Sequence, residues 1–259
     1  MDLFIRSSVI PVCHGFSLRT GGVSLPPYDS LNLRLPPRLS AEGGLELLER
    51  IDKNLQLLSD AAGFSTSQLH TVTQVHGDRV IEANLETRGL MSPVEADGIW
   101  TSEADQVVAV SSADCVPILI YDPIAQSAMA VHSGWKGTLK EIARRAVDAM
   151  VSHGGRPENL IAALGPSIRS CCYGVSGSLS QQFTDLFGPS VVECREGKNY
   201  LNLVGAITRS LGAAGLSSNQ IEVLPQCSAC HPQLFFSHRR DQGATGRHLS
   251  FISLDPQSR

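Results

Sequence analysis

Three consecutive apolar segments between residues 106 and 133 constrain the fold of this chain most strongly. They are QVVAVSS (106–112), CVPILIYD (115–122) and SAMAVHS (127–133), and only short turn-forming stretches separate them. Runs of this length, rich in β-branched residues and bounded by turn formers, predict strands buried in a sheet. Further short strands are predicted at LHTVTQVH (69–76), RVIEAN (79–84), LIAALGP (160–166), IEVLPQ (221–226) and GRHLSFISL (246–254).

Segments with helical periodicity flank these strands. The pattern predicts helices over 45–62, 139–154, 177–188 and 203–215. The stretch 15–37, rich in Gly and Pro, predicts a strand followed by a long ordered loop. Because adjacent strands are mixed with flanking helices, the sequence predicts an α+β layered fold, and the absence of repeats or long linkers predicts a single domain over 1–259.

Composition excludes several classes of protein. Hydrophobic residues make up 42% of the chain, which is enough for a large core, and the net charge of −4 disfavours general nucleic-acid binding. No apolar run reaches the length of a signal peptide or a membrane span, so we expect a cytoplasmic protein. In that compartment, seven cysteines are expected to be thiols, metal ligands or nucleophiles. Neither a dinucleotide-binding fingerprint nor a P-loop spacing is present.

Three residues of metal-binding types fall at the ends of predicted strands. They are His76 in TQVHGD, Cys115 in SSADCVP and His132 in AVHSGWKGT, each beside Gly or Pro. Imidazole and thiolate are ligands that zinc prefers, and two His plus one Cys leave a fourth position open for an activated water, as in catalytic zinc sites. Isolated core residues are the alternative, and Cys115 activated by a histidine could instead be a nucleophile.

A second cysteine motif, CSACH, contains Cys227, Cys230 and His231. It matches a haem-attachment pattern, but attachment of that kind belongs to exported chains. A structural zinc would need a second cysteine pair, and Cys171 and Cys172 are adjacent, which is poor geometry for one ion. We therefore expect a loop pair without metal.

Basic and acidic residues near these motifs are candidates for anion binding. Lys136 follows Gly134 at the start of a predicted helix, where an anion can bind. In FFSHRRD, one arginine fits an anion clamp and the other fits a pair with Asp241. Arg19 is a weaker anion-site candidate. Asp114, next to Cys115, either orients that cysteine or binds turn amides.

The motifs together resemble the laccase-domain family, also called multicopper polyphenol oxidase or peptidoglycan editing factor proteins. The resemblance runs in order from about residue 15 to about residue 252, through GFSLRTGGVS, TQVHGD, ADGIWT, SSADCVPILIYD, AVHSGWKGT, GPSIRSCCYGV and FFSHRRDQGATGRHLSFI. It implies a single-domain four-layer α/β/β/α sandwich with mixed sheets. It also implies one catalytic metal, Zn²⁺ or alternatively Cu²⁺, held by His76, Cys115 and His132.

The activity that the resemblance implies is purine nucleoside phosphorolysis. Adenosine, inosine, guanosine or methylthioadenosine would react with phosphate to give the base and ribose 1-phosphate, with adenosine deamination as a side activity. Asp114, Cys115 and His132 would be the catalytic residues, and substrate or phosphate would contact Arg19, Asn32, Lys136 and Arg240. The open alternatives are an amidase that edits peptidoglycan precursors, a copper polyphenol oxidase and a non-enzymatic metal- or partner-binding module. The expected partners are small molecules, with no nucleic acid or membrane, for a monomer or weak homo-oligomer.

Overall fold

The computed structural model describes residues 2–35 and 41–256. In chain order its strands are β1 (Phe4–Ile5), β2 (Val12–Ser17), β3 (Leu69–His70), β4 (Val80–Glu82), β5 (Gly98–Thr101), β6 (Val107–Ser112), β7 (Val116–Asp122), β8 (Ser127–Ser133), β9 (Ile161–Leu164), β10 (Gly174–Val175), β11 (Val192–Arg195), β12 (Lys198–Leu201), β13 (Ile221–Val223) and β14 (His248–Pro256). Its α-helices are α1 (Ala41–Ala62), α2 (Trp135–Leu139), α3 (Ile142–Ser152), α4 (Gly177–Phe187) and α5 (Leu203–Ala213).

Two large mixed sheets form the centre of the fold. The first has five strands in the order β1-β2-β14-β6-β3, and the second has six in the order β13-β9-β7-β8-β5-β4. Most neighbours are antiparallel, whereas β3–β6, β13–β9 and β4–β5 are parallel. A separate sheet of three short strands has the order β10-β12-β11.

Alternating residues of β7 pack into two different cores. Leu119 and Tyr121 belong to an apolar cluster that also contains residues of β6 and β14, so this cluster lies between the two large sheets. Ile118 and Ile120 belong to another cluster, shared with α3, α4 and α5. A strand buried on both faces has no polar side, which explains the continuous apolar run that the sequence shows there.

The outer face of the first sheet packs against α1. Leu55 and Leu58 of that helix share a cluster with Leu249 and Phe251 of β14. The layers are therefore α1, the first sheet, the second sheet and then α3 to α5. This arrangement confirms the α/β/β/α sandwich with mixed sheets.

Some predicted elements have different bounds in the structure. The strand predicted over 69–76 is wrong beyond β3, because 71–79 is a loop. The helix predicted over 139–154 corresponds to α3, which begins at Ile142, whereas Leu139 is the last residue of the separate helix α2. Between them, Glu141 has a φ of 57° in the left-handed region. The predicted loop over 15–37 follows β2 as expected, although residues 36–37 lie outside the described residues. No helix within the described ranges is long and apolar enough to cross a membrane.

Candidate metal centre and active site

Three donor side chains meet at one end of the second sheet. The antiparallel register of β7 and β8 pairs Val116 with Ser133, which holds Cys115 and His132 on adjacent strand ends. His76 reaches them from the loop after β3, and its Nε2 lies 3.9 Å from the Cys115 Sγ. The candidate ligand atoms of His76, Cys115 and His132 all lie within 4.8 Å of one another. We call this group the His/Cys/His cluster.

The backbone around the cluster is constrained. His76 has a φ of 58° and Asp114, the neighbour of Cys115, has a φ of 87°, both in the left-handed region that is uncommon for residues other than glycine. A Cβ atom at Gly134 would lie 2.9 Å from the His76 Cδ2 and 3.0 Å from the Cys115 Sγ. Glycine at this position therefore lets the backbone after β8 pass close to two of the donors.

Asp97 fixes the orientation of the cluster. This carboxylate is fully buried, and its Oδ1 accepts a hydrogen bond from the His132 Nδ1 at 2.8 Å. It also accepts backbone N–H groups of Val75, His76 and Gly77 at 3.2, 3.0 and 2.6 Å. Asp97 thus holds the loop that carries His76 and turns the Nε2 of His132 toward the other two donors, where a metal would bind.

Sequence reasoning gave Asp97 no role. The residue is part of the quoted ADGIWT segment and directly precedes β5. The sequence signal that could have identified Asp97 is a carboxylate directly before Gly98, the glycine that begins a buried strand. Its contact with His132 depends on the pairing of β5 with β8, which places Gly98 opposite Val131. That pairing was not predicted from the sequence.

The electrostatics of the cluster favour a thiolate. Burial raises the pKa of Cys115, but the charge and hydrogen bond of His132, together with His76, bring it down to about 6. Burial lowers the pKa of His132, but Cys115 and Asp97 raise it to about 9. These two shifts favour a Cys115 thiolate paired with a His132 imidazolium. A thiolate is both the metal-binding and the nucleophilic form of cysteine.

The donor set fits a divalent transition metal. Two imidazole nitrogens and one thiolate are ligands typical of zinc and acceptable to copper. The hydrogen bond from His132 to Asp97 is the carboxylate–histidine arrangement that commonly supports a metal-bound imidazole. His76, Cys115 and His132 are therefore the residues that would hold the ion.

The arginine pair of FFSHRRD takes two different positions. Arg240 forms a two-pronged pair with Asp241 at 2.7 and 2.8 Å and also donates to two backbone carbonyls. Arg239 is exposed, donates to the Gly174 carbonyl and lies over the Tyr173 ring. Since Arg240 uses its donors within the fold, Arg239 is the arginine of this pair that is better placed for an anion.

Two other basic candidates lie at the surface or near it. Lys136 is exposed in the five-residue helix α2 and lies over the Trp135 ring. Arg19 is half-buried, forms an ion pair with Asp29 at 3.2 Å and stacks on Phe236. It lines a cavity of about 430 Å³, and the His/Cys/His cluster is not part of that lining.

Asp114 connects the cluster to neighbouring loops. Its Oδ1 accepts the Ser228 hydroxyl at 2.6 Å, and its Oδ2 accepts the Arg239 backbone N–H at 2.6 Å. Its carbonyl accepts the Ile168 N–H at 2.9 Å. We expected Asp114 to orient a ligand, but the carboxylate that contacts His132 is Asp97, because the Asp114 side chain turns toward Ser228 and Arg239.

Asn32 positions two arginines that sequence reasoning did not select. It is fully buried, and its Oδ1 accepts the backbone N–H of Arg247 at 2.9 Å and that of Arg34 at 3.4 Å. Burial and the charge of Arg247 lower the pKa of Arg34, and Arg34 also interacts with Asp97. Arg247 interacts electrostatically with Cys115 and Asp114. Both guanidinium groups are half-buried, and their charges interact with Cys115 of the cluster or with its support Asp97.

A family model described as multi-copper polyphenol oxidoreductase laccase matches residues 13–255. The match includes every donor of the cluster and the strands of both large sheets, except β1 and the outermost residues of β2 and β14. The chain belongs to this laccase family.

Curated relatives of this laccase-family chain carry one functional name. A protein of Deinococcus radiodurans named purine nucleoside phosphorylase is 37% identical, over 96% of this chain and 92% of its own length. Purine nucleoside phosphorylase YlmD of Bacillus subtilis is 33% identical, over 94% and 88%. The mouse protein named purine nucleoside phosphorylase LACC1 is also 33% identical, over 96% of this chain. The chain spans only 58% of that mouse protein.

Solved structures have the same laccase-family fold. YlmD from Geobacillus stearothermophilus superposes with a TM-score of 0.86 at 29% identity and covers 100% of both chains. The hypothetical protein YfiH of Bacillus licheniformis also gives 0.86, at 32% identity, over 93% of this chain and 92% of its own. The fold described above is therefore the fold of known relatives.

The donor clusters of this laccase-family chain do not suit an enzyme that needs several coppers. Among the described residues two groups are close enough to hold a metal: the His/Cys/His cluster, and Cys171, Cys172, Cys227 and Cys230. The first has donors for one ion, and the second has only sulfur donors. From the sequence we expected Cys227 and Cys230 to form a loop pair without metal, apart from Cys171 and Cys172. The structure instead brings all four cysteines together.

Proposed function

We propose that the chain is a metal-dependent purine nucleoside phosphorylase. Its substrates are purine nucleosides, namely adenosine, inosine, guanosine and methylthioadenosine, together with phosphate. The products are the free base and a ribose 1-phosphate or its methylthio analogue. The observation that carries the proposal is the His/Cys/His cluster supported by Asp97, with two half-buried arginines whose charges interact with Asp97 and Cys115. The names of the relatives supply the reaction class.

The cluster residues hold and orient the metal. A zinc ion held by these residues would supply Lewis-acid chemistry and, with water, would support adenosine deamination as a side activity. His132 presents its Nε2 because Asp97 occupies its Nδ1. His76 is held on a loop whose backbone N–H groups donate to the same carboxylate.

We assign phosphate binding to Arg34 and Arg247. Their described hydrogen bonds go to uncharged acceptors: Val72, Gln74 and Ser111 for Arg34, and Thr245 and Gly246 for Arg247. A dianion would offset the burial of these two cations and their mutual repulsion. Asn32 sets their spacing through the backbone, so it is a positioning residue.

The reaction balances without another co-reactant. A phosphate oxygen forms a bond to C1′ of the ribose as the bond from C1′ to N9 breaks. The bonding electrons leave with the purine, which takes up a proton to become the neutral base. The half-buried arginines hold the attacking phosphate in place, and such positioning is a major source of rate enhancement in bimolecular reactions.

The test is release of base from inosine by zinc-loaded protein, with and without phosphate. We expect release only with phosphate, loss of it in His132→Ala, and no change in His153→Ala, an exposed histidine at the end of α3.

Arg247→Ala should raise the KM for phosphate about tenfold or more, which corresponds to one lost charge-assisted contact, and change the KM for inosine little. Arg144→Ala, an exposed arginine of α3, is its control.

An amidase is the second candidate because of one observation. The pKa of Cys115 near 6 makes this thiol a nucleophile at neutral pH when no metal is bound. Turnover of amide substrates by metal-free protein, with no phosphate requirement, would favour the amidase over the phosphorylase. Oxidation of phenols that requires added copper would favour the polyphenol oxidase.

A further inference from the structure

Four cysteine sulfurs meet in a second cluster, separate from the His/Cys/His cluster. Cys171 and Cys172 lie in the segment after β9, and Cys227 and Cys230 lie in the turn after β13. The Sγ atoms all lie within 4.8 Å of one another, with 3.5 Å between Cys171 and Cys230 and 3.3 Å between Cys172 and Cys230. We call this group the four-cysteine cluster.

The sheet brings the two cysteine pairs together. β9 and β13 are parallel neighbours, so the segments that follow them leave the same edge of the second sheet. Ser167 and Cys227 continue this pairing as a bridge, and the Ser228 N–H donates to the Ser167 carbonyl at 3.0 Å. The convergence of the four sulfurs is therefore built into the strand order.

The surroundings of Cys227 stabilise negative charge on sulfur. Backbone N–H groups of Arg169, Ala229 and Cys230 hydrogen-bond to this buried sulfur. The Arg169 guanidinium is anchored by the carbonyls of Gly165, Leu224 and Gln226, and its charge interacts with Cys227 and Cys171. Several donors and a cation around one sulfur are what a metal-bound thiolate requires.

We propose that Cys171, Cys172, Cys227 and Cys230 form a second metal site for a thiophilic divalent cation such as zinc. Four sulfurs at the usual zinc–sulfur bond length of about 2.3 Å stand about 3.8 Å apart. The two sulfur–sulfur distances of 3.3 and 3.5 Å and the limit of 4.8 Å bracket that value. Four protein ligands close the coordination sphere, so this site is structural and its existence does not depend on the proposed function.

The position of the site gives it a role beside the active site. Ser228, between the two cysteines of the turn, donates its hydroxyl to Asp114. Ile168, ahead of the adjacent cysteine pair, donates its N–H to the Asp114 carbonyl. A metal that joins the two segments would therefore fix two of the three contacts that hold Asp114, the residue next to Cys115. Arg240 adds a third connection through the Ser228 carbonyl at 3.0 Å.

The experiment counts zinc in protein purified under reducing conditions. We expect about two zinc ions per chain in the wild type, one for each cluster. His76→Ala/His132→Ala should retain about one ion, and Cys230→Ser, which changes an exposed residue, should also lose about one. Cys194→Ser, an exposed cysteine on β11, is the matched control and should keep both.

Cobalt loading of the His76→Ala/His132→Ala variant gives a readout independent of activity. Bound cobalt should show the intense sulfur-to-cobalt charge transfer of a tetrahedral all-thiolate site, and Cys227→Ser should weaken it. Zinc should also protect Cys171 and Cys230 from alkylation in peptide-resolved mass spectrometry.

The proposal is overturned if the histidine double variant binds no metal, or if the reduced wild type binds only one ion that Cys230→Ser leaves in place. A disulfide among these cysteines in freshly purified, metal-free protein would overturn it as well.

Discussion

At the scale of single residues, Asp97 determines which nitrogen of His132 faces the candidate metal centre. Its carboxylate is fully buried and accepts the imidazole N–H together with backbone N–H groups of the loop that carries His76. In Asp97→Asn, an amide N–H donor replaces one carboxylate oxygen and faces the N–H groups that the carboxylate accepts. The substitution should therefore disturb the positions of both His76 and His132.

Asp97→Asn should lower zinc affinity by about 10–100-fold and activity to a similar extent, as is usual when the partner of a metal-bound histidine is lost. Zinc affinity is measured by competition with a chromophoric chelator. Asp78→Asn is the control, because Asp78 lies on the same loop, is partly exposed and pairs with Arg145 at the surface. Equal zinc affinity in Asp97→Asn and Asp78→Asn would contradict the assigned role.

The sequence predicted the donors of the site better than their supports. His76, Cys115 and His132 have distinctive chemistry and lie beside Gly or Pro at segment ends, so single positions point to them. Asp97, Arg34 and Arg247 are common residue types whose importance depends on long-range pairing. Arg240 shows the reverse: adjacent arginines are ambiguous in sequence, and only the structure shows that Arg240 pairs with Asp241.

At the scale of elements, the antiparallel pair β7–β8 positions the site. Its register places the start of β7 next to the end of β8. After β8 the chain turns at Gly134 into α2. The apolar runs of these two strands were sufficient to predict them. The strands β10, β11 and β12 have two to four residues each, too few to show a period, and they were not predicted.

Gly134→Ala should weaken zinc binding and activity by about tenfold or more, since misplacement of a reacting group by about 1 Å costs this much. The new Cβ would lie 2.9 Å from His76 and 3.0 Å from the Cys115 sulfur, so at least one ligand must move. Gly212→Ala within α5, where a Cβ meets no atom within 4 Å, should bind zinc as the wild type does. Zinc affinity is measured by the same competition assay. An unchanged affinity in Gly134→Ala would show that the backbone at Gly134 does not pass as close to His76 and Cys115 as the structure indicates.

At the scale of the whole molecule, the buried His248 of the first sheet makes stability dependent on pH. Burial lowers the pKa of His248 on β14 to about 3, and its Nε2 accepts the Phe236 N–H at 2.8 Å. The folded chain keeps this ring neutral, whereas the unfolded chain takes up a proton below about pH 6.5. Acid therefore favours the unfolded state.

The free energy of unfolding should fall as the pH decreases from about 6.5 toward 3, with about 1.4 kcal/mol per pH unit from His248 alone. Urea unfolding at several pH values measures this slope. His248→Gln should reduce the slope by about that amount, and His153→Gln should leave it as in the wild type. An identical slope in His248→Gln and the wild type would show that His248 is not the source.

The layered architecture brings distant segments together around one centre. His76, Asp97, Cys115, His132 and Arg247 come from loops and strand ends of both halves of the chain. The four-layer order followed from the family resemblance, whereas periodicity alone gave only an α+β class. The pairing of strands far apart in sequence, which no local pattern encodes, accounts for this difference.

The proposed function requires that phosphate attack the nucleoside at the His/Cys/His cluster. The most direct test is mass-spectrometric identification of the sugar product from inosine incubated with zinc-loaded protein in phosphate buffer containing ¹⁸O-labelled water. We expect ribose 1-phosphate without ¹⁸O, formed in equal amount to hypoxanthine and lost in His132→Ala. Free ribose carrying ¹⁸O, or inosine that remains intact, would contradict the proposed phosphorylase reaction.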